Sequence, residues 1–273
     1  MSLGVNMSRK TISFVVLCSF VMIVFLGSGC GKGKVSVTAA GSTAFQPFAE
    51  KLAEQFMQSH PDINVTVQGG GSAVGIQSAV SGAADIGMAD LVNLPPEASA
   101  LKSVVVAKDG IAVIVHPQNP VKDLSIEQIR NIFNGVIKNW SEVGGEERPI
   151  TVVSREAGSG TRSSFEAIVG GVELIREAVI QDSNGTVRET VANDVNAIGY
   201  LSHGLVNEKV KAVTVSGVEC TTETITKGQY TLVRPVFFLT KGEPQGAVKA
   251  FIDFVLSSEG QKTIVDSGLL PAK

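Results

Sequence analysis

The feature that most constrains the fold is an alternation of strand-like and helix-like stretches, joined by only a few residues and starting at Val35. Residues 35–40 read as a strand, which Gly41-Ser42-Thr43 breaks. Phe45, Phe48, Leu52 and Phe56 then recur at three- and four-residue spacing, so they share one helix face and belong to a core. A second strand is expected over residues 63–67, a helix over 73–80 and a third strand over 84–88. Such alternation with short connections indicates a layered α/β domain with a mainly parallel sheet. In sheets of this kind ligands sit beyond the carboxyl ends of the strands, where Gly41-Ser42-Thr43, residues 69–72 and Ala89-Asp90 fall.

Further along, a strand pair over residues 104–106 and 110–115 runs to His116-Pro117, where a crossing to a second lobe is expected. Residues 125–133 read as a helix whose Ser125 and Gln128 have capping-box spacing. Helices are expected over 172–180 and 186–192, with strands near 197–201 and 210–215. A strand over 234–240 precedes a helix over 245–256, in which Val248, Phe251, Ile252 and Val255 form an apolar stripe. We read this tail as returning to the first lobe. The expected organisation is therefore one α/β lobe from residues 35–114 with 234–273, and a second from 115–233.

The N-terminus has a different character. Arg9-Lys10 precede the uncharged run 11–26, and Gly27-Ser28-Gly29-Cys30 follow, which is the layout of an export signal over residues 1–29. The run is short for a membrane span, which takes about 20 residues. The placement of Cys30 after small residues resembles the bacterial lipoprotein signal, which implies lipidation at Cys30 and a linker over 30–34. The chain is then exported to the periplasm or the outer face of the cell membrane. Cys18 leaves with the signal and Cys30 is acylated, so Cys220 stands alone and no intramolecular disulfide forms. No CxxC is present, and His60, His116 and His203 are far apart, so no metal or cofactor is expected. Loss of Arg9 and Lys10 with the signal moves the formal charge from -3 to -5, which argues against nucleic acid. An anion ligand must then be held by local donors rather than by a positive global field.

Residues 154–161 (SREAGSGT) supply such donors: an arginine, hydroxyls and two glycines in one turn between a strand and a helix. Ser42 with Thr43, Ser72, and Ser159 with Thr161 each stand at the start of a helix. Any one of them is accounted for by N-capping alone. Taken together at one edge of two lobes, and joined by Arg155, they favour a shared oxyanion site. Asp90 differs from the rest, since a carboxylate repels an anion unless that anion has a proton to donate. Hydrogen phosphate does and sulfate at neutral pH does not, so Asp90 selects for phosphate. A capping role is its structural alternative. Exposed serines beside glycines also raise a secreted serine hydrolase, but neither loop fits G-x-S-x-G and no histidine lies in a comparable break. A receptor for sulfate, molybdate or tungstate is the alternative among binders.

Several stretches together resemble the phosphate-binding receptors of bacterial high-affinity phosphate ABC importers. They are Gly41-Ser42-Thr43, Gly71-Ser72, residues 85–90 (DIGMAD), 109–115 (DGIAVIV), 139–145 (NWSEVGG), 154–161 and 196–200 (NAIGY). The resemblance implies a two-lobed periplasmic-binding-protein fold of type II with the ligand in the interdomain cleft. It implies no catalysis, and transmembrane importer subunits as partners. By motif, Ser42, Thr43, Ser72 and Asp90 would bind phosphate from the first lobe, and Arg155, Ser159, Gly160 and Thr161 from the second. Some family members have an aspartate two residues after the arginine that braces it. Here that position is Ala157, which leaves Glu156 as the candidate brace.

Overall fold

The structure, a computed structural model, describes Met1 and residues 34–273. The rest of the expected export signal, the lipidation site Cys30 and linker residues 31–33 lie outside the described residues. Val35–Lys273 form one unit.

In chain order the first elements are β1 (Val35–Gly41), α1 (Gln46–Ser59), β2 (Ile63–Gln68), α2 (Ser72–Ser81), β3 (Ile86–Asp90) and β4 (Lys102–Val115). Next come β5 (Asp123–Leu124), α3 (Ile126–Phe133), β6 (Thr151–Arg155), α4 (Gly160–Val169), β7 (Val179–Gln181), α5 (Asn184–Asn193) and β8 (Ala197–Ser202). The chain closes with β9 (Lys211–Ala212), β10 (Thr214–Val215), α6 (Thr222–Thr226), β11 (Val233–Thr240), α7 (Gly246–Leu256), α8 (Ser258–Asp266) and β12 (Leu270–Pro271).

The main sheet runs in the order β2-β1-β3-β11-β4-β8-β6-β7. The strands that alternate with helices pair in parallel: β1 with β2 and β3, and β6 with β7 and β8. In its middle, β11 lies antiparallel between β3 and β4, and β4 is antiparallel to β8. The sheet is thus mixed rather than mainly parallel, because two strands without crossover helices fill its centre.

Besides a smaller third with Ile76, Ala89 and Leu239, two large apolar cores lie against it. Val37, Phe45, Leu52, Phe56, Val106, Phe238 and Phe251 belong to one, with the Phe56 and Phe251 rings edge-on at 5.3 Å. Ile111, Ile129, Phe133, Trp140, Phe165 and Tyr200 belong to the other, with Phe165 stacked on Tyr200 at 4.1 Å. Each such side chain, fully buried, contributes about 1.5–3 kcal/mol. The stripe on α7 packs with α1, Phe251 against Phe56; the periodicity predicted the face and the tertiary structure supplies its partner.

Three local expectations are corrected. Residues 104–106 and 110–115 are one strand, β4, which pairs with β11 up to Gly110 and with β8 from Ile111. Its residues change core between Ala107 and Ile111, so Asp109-Gly110 is a handover and not a break. Residues 172–178 form no helix. Their amides are tied instead to the end of α3, Glu173 N donating to Asn134 Oδ1 and Ile175 N to the Phe133 carbonyl, while Leu174 and Ile175 pack on the core from an irregular backbone. Residues 210–215 split into β9 and β10, which pair with different strands. The box at Ser125 forms as expected: Ser125 Oγ accepts from Gln128 N at 3.1 Å and Gln128 Oε1 from Ser125 N at 2.9 Å.

Candidate functional site

All five residues of β3 are buried, so its last residue, Asp90, reaches the carboxyl edge of the sheet with its carboxylate out of water. Both oxygens are engaged. Oδ1 accepts from Ser72 Oγ at 2.7 Å; Oδ2 pairs with Arg234 Nη1 at 2.6 Å and receives a long contact of 3.5 Å from Thr161 Oγ1. Ser72 is the first residue of α2, whose N-cap is Gly71. Its hydroxyl, which also accepts from Asp90 N at 3.1 Å, therefore fixes the carboxylate instead of capping the helix.

Arg155, the last residue of β6, is 1% exposed. Glu156 clamps it, accepting from Nε at 2.9 Å and from Nη2 at 2.8 Å. The Gln181 and Asp182 carbonyls accept from Nε and Nη2, both at 3.2 Å. Glu156 is thus the brace in the absence of an acid at Ala157. Nη2 also donates to Thr43 Oγ1 at 3.2 Å, whereas Nη1 is buried with no hydrogen-bond partner among the described residues.

Ser42 and Ser159 hold loop backbone. Ser42 Oγ accepts from Phe45 N at 3.1 Å; Ser159 is the N-cap of α4, its Oγ accepting from Arg162 N at 3.2 Å. Gly160 and Thr161 open α4, so their amides have no acceptor within the helix. Gly160 also permits contact between the two halves of the site. A Cβ there would lie 2.1 Å from Ser72 Oγ and 2.6 Å from the Asp90 carbonyl oxygen. At Gly41, where φ is +136°, a Cβ would lie 2.2 Å from the Met88 carbonyl oxygen, so only glycine lets β1 turn there against β3.

The structure therefore brings Thr43, Ser72, Asp90, Arg155, Gly160 and Thr161 together, with Ser42 and Ser159 behind them. It adds four residues that the sequence reading did not single out. Asn184, 1% exposed at the start of α5, donates through Nδ2 to Thr43 Oγ1 at 3.4 Å and to Thr161 Oγ1 at 3.3 Å, while its Oδ1 accepts from Ser202 N. Ser183-Asn184-Gly185-Thr186 is another capped helix start of the same kind as the others, and that was its signal. Arg234 on β11 alternates with the buried Val236 and Phe238, and so points inward as a charge. Its Nη2 and Nε meet Asp109 Oδ2 at 2.8 and 3.2 Å, and Ser202 Oγ donates to Asp109 Oδ1 at 2.8 Å. Burial pushes the Asp109 carboxyl above its ordinary range, opposed by Arg234 and Ser202. A charge of each sign inside two apolar strands was the clue to this pair. None of the hydrogen bonds at Ser72 or Ser159 involves a histidine.

The comparisons with known proteins agree with this geometry. The chain matches the PBP superfamily domain over residues 28–259. The phosphate-binding protein PstS of Bacillus subtilis (strain 168) is 35% identical over 283 residues, covering 96% of this chain and 94% of that protein. The chain belongs to the PstS family of phosphate-binding proteins. Among solved structures, this PstS-family chain is similar to a Clostridium perfringens protein crystallised with bound phosphate. The TM-score is 0.85 at 43% identity, over 87% of this chain and all of that one. An ABC-type phosphate transport receptor from Vibrio cholerae gives a TM-score of 0.73 at 36% identity, over 86% of this chain and 99% of that one. The fold of the chain is the two-lobed one of this family of binding proteins.

Proposed function

We propose that this chain is a non-catalytic receptor that binds one phosphate between its two lobes and delivers it to the transmembrane subunits of an ABC importer. Arg155 carries the reading. A buried polar atom without a partner costs about 1–3 kcal/mol, and Nη1 bears this cost while Glu156 holds the rest of the guanidinium in place. An oxyanion meeting Nη1 accounts for that arrangement. Thr43, Thr161, the Asn184 amide between them and the first amides of α4 add donors around the same point.

Asp90 then chooses among oxyanions. Its carboxylate accepts a proton that phosphate can offer and sulfate cannot, a kind of discrimination worth about 10⁴ to 10⁵ in related cases. In this reading the phosphate site comprises Ser42, Thr43, Ser72, Asp90, Arg155, Ser159, Gly160 and Thr161, joined by Asn184. One lobe is residues 35–114 with 234–273 and the other 115–233, with β4 common to both cores. Export followed by lipidation of Cys30 would hold the receptor at the membrane.

Calorimetry on the mature chain at neutral pH tests the site. Tight phosphate binding with little sulfate binding is expected, and Asp90→Asn should narrow the gap. Equal affinity for the two anions in the wild type would sink the role given to Asp90. For the anchor, Cys30→Ser should move the protein from the membrane fraction to the soluble exported fraction; an unchanged distribution counts against the lipid.

A further inference from the structure

We infer that Arg234 sets the preference for a protonated oxyanion by keeping Asp90 an ionised acceptor, as a positioning residue that does not itself touch the anion. The inference rests on the phosphate reading above and names what makes its discrimination work.

Asp90, Asp109 and Arg234 are each 1–2% exposed. A carboxylate so deeply buried without a cation takes up a proton. A neutral carboxyl can turn its own hydrogen toward the ligand, and the penalty against sulfate disappears. Arg234 prevents this. A guanidinium stays charged throughout the accessible pH range, and its Nη1 lies 2.6 Å from Asp90 Oδ2.

Its other nitrogens are committed elsewhere. Nη2 and Nε both go to Asp109 Oδ2, and Ser202 anchors the far oxygen of Asp109. Each nitrogen of Arg234 thus already meets an acceptor, Nη1 also reaching the Asp90 carbonyl at 3.4 Å, whereas Arg155 Nη1 has no partner among the described residues. Asp109 orients Arg234, which in turn orients Asp90. The charged groups around Asp90 are Arg234 from β11 and Asp109 from β4, with Arg155 and its partner Glu156 across Thr43. His203, after β8, faces Asp109. Ser72 and Thr161 complete the shell as neutral donors.

The test is calorimetry of the mature protein with phosphate and with sulfate from about pH 6 to about pH 9. Phosphate keeps a proton to donate over this whole range. In the wild type the phosphate-to-sulfate affinity ratio should stay high throughout. In Arg234→Met the buried Asp90 carboxylate loses the cation that lies 2.6 Å from it. The ratio should fall at least about tenfold near pH 6 and recover as the pH rises and the carboxylate re-forms. Arg234→Lys, which keeps the charge, should stay near the wild-type ratio at low pH and guards against a misfolded Met variant. A folded Arg234→Met protein with wild-type discrimination near pH 6 overturns the inference. So does an equal loss of both affinities with no pH dependence, which is the mark of a merely structural role. A wild type that prefers sulfate, or binds neither anion, refutes the receptor reading instead.

Discussion

Gly160→Ala is the perturbation whose outcome the structure specifies most closely. The added Cβ would stand 2.1 Å from Ser72 Oγ, 2.6 Å from the Asp90 carbonyl oxygen and 2.8 Å from Asp90 Oδ1. The hydroxyl could rotate away, but only by giving up its 2.7 Å bond to Asp90 Oδ1, a bond to a charged group worth about 1.5–3 kcal/mol. The carbonyl belongs to a buried strand and cannot rotate, so the halves of the site must separate by about 0.8 Å to restore ordinary contact at 3.4 Å. Overpacking of this kind costs about 1–3 kcal/mol. Together the two effects amount to about 2.5–6 kcal/mol, or a loss of phosphate affinity between about 60-fold and about 20,000-fold. Gly158→Ala is the internal control, because its Cβ would meet only the Ala73 methyl at an ordinary 3.4 Å. Calorimetry on both variants, with thermal unfolding to confirm that each folds, gives the comparison. Wild-type affinity in Gly160→Ala would refute the reasoning, as would equal losses in the two variants.

Two further outcomes follow from the same contacts. Glu156→Asp keeps the charge but shortens the reach to Arg155, so the paired contacts at 2.9 and 2.8 Å cannot both form. Glu156 is about a third exposed, which limits the effect to about 1–2 kcal/mol, or about 5- to 30-fold in phosphate affinity by calorimetry; no change would mean that the carbonyls of Gln181 and Asp182 hold Arg155 unaided. His203 is the pH probe of stability: burial lowers its pKa from the ordinary 6.5, against the pull of Asp109. Below pH 6.5 the unfolded chain therefore binds a proton that the folded chain resists, and stability falls with acidification until the folded-state pKa is passed. Denaturant titrations from about pH 7 to pH 5 should show a shallower decline in His203→Gln, and parallel declines would exclude His203 as the source.

Periodicity and loop chemistry in the sequence determined the strand-helix alternation, the capping box at Ser125 and the loops that carry the donors. These are local properties, set by which neighbouring residues share a face and which side chains can reach their own backbone. Glu156 as the brace of Arg155 was legible for the same reason, because the two are adjacent. What only the tertiary structure decided depends on which strands become neighbours. Asp109 and Arg234 lie on strands far apart in the chain, and only the antiparallel pairing of β4 with β11 places them in contact and carries their charge to Asp90. The same holds for Asn184, whose meeting with Thr43 and Thr161 spans both halves of the site. Residues 172–178 show the limit from the other side: despite their helical spacing, the amides of Glu173 and Ile175 are bonded to the end of α3 instead of within a helix of their own. Spacing along the chain fixes faces; contact between distant strands fixes partners.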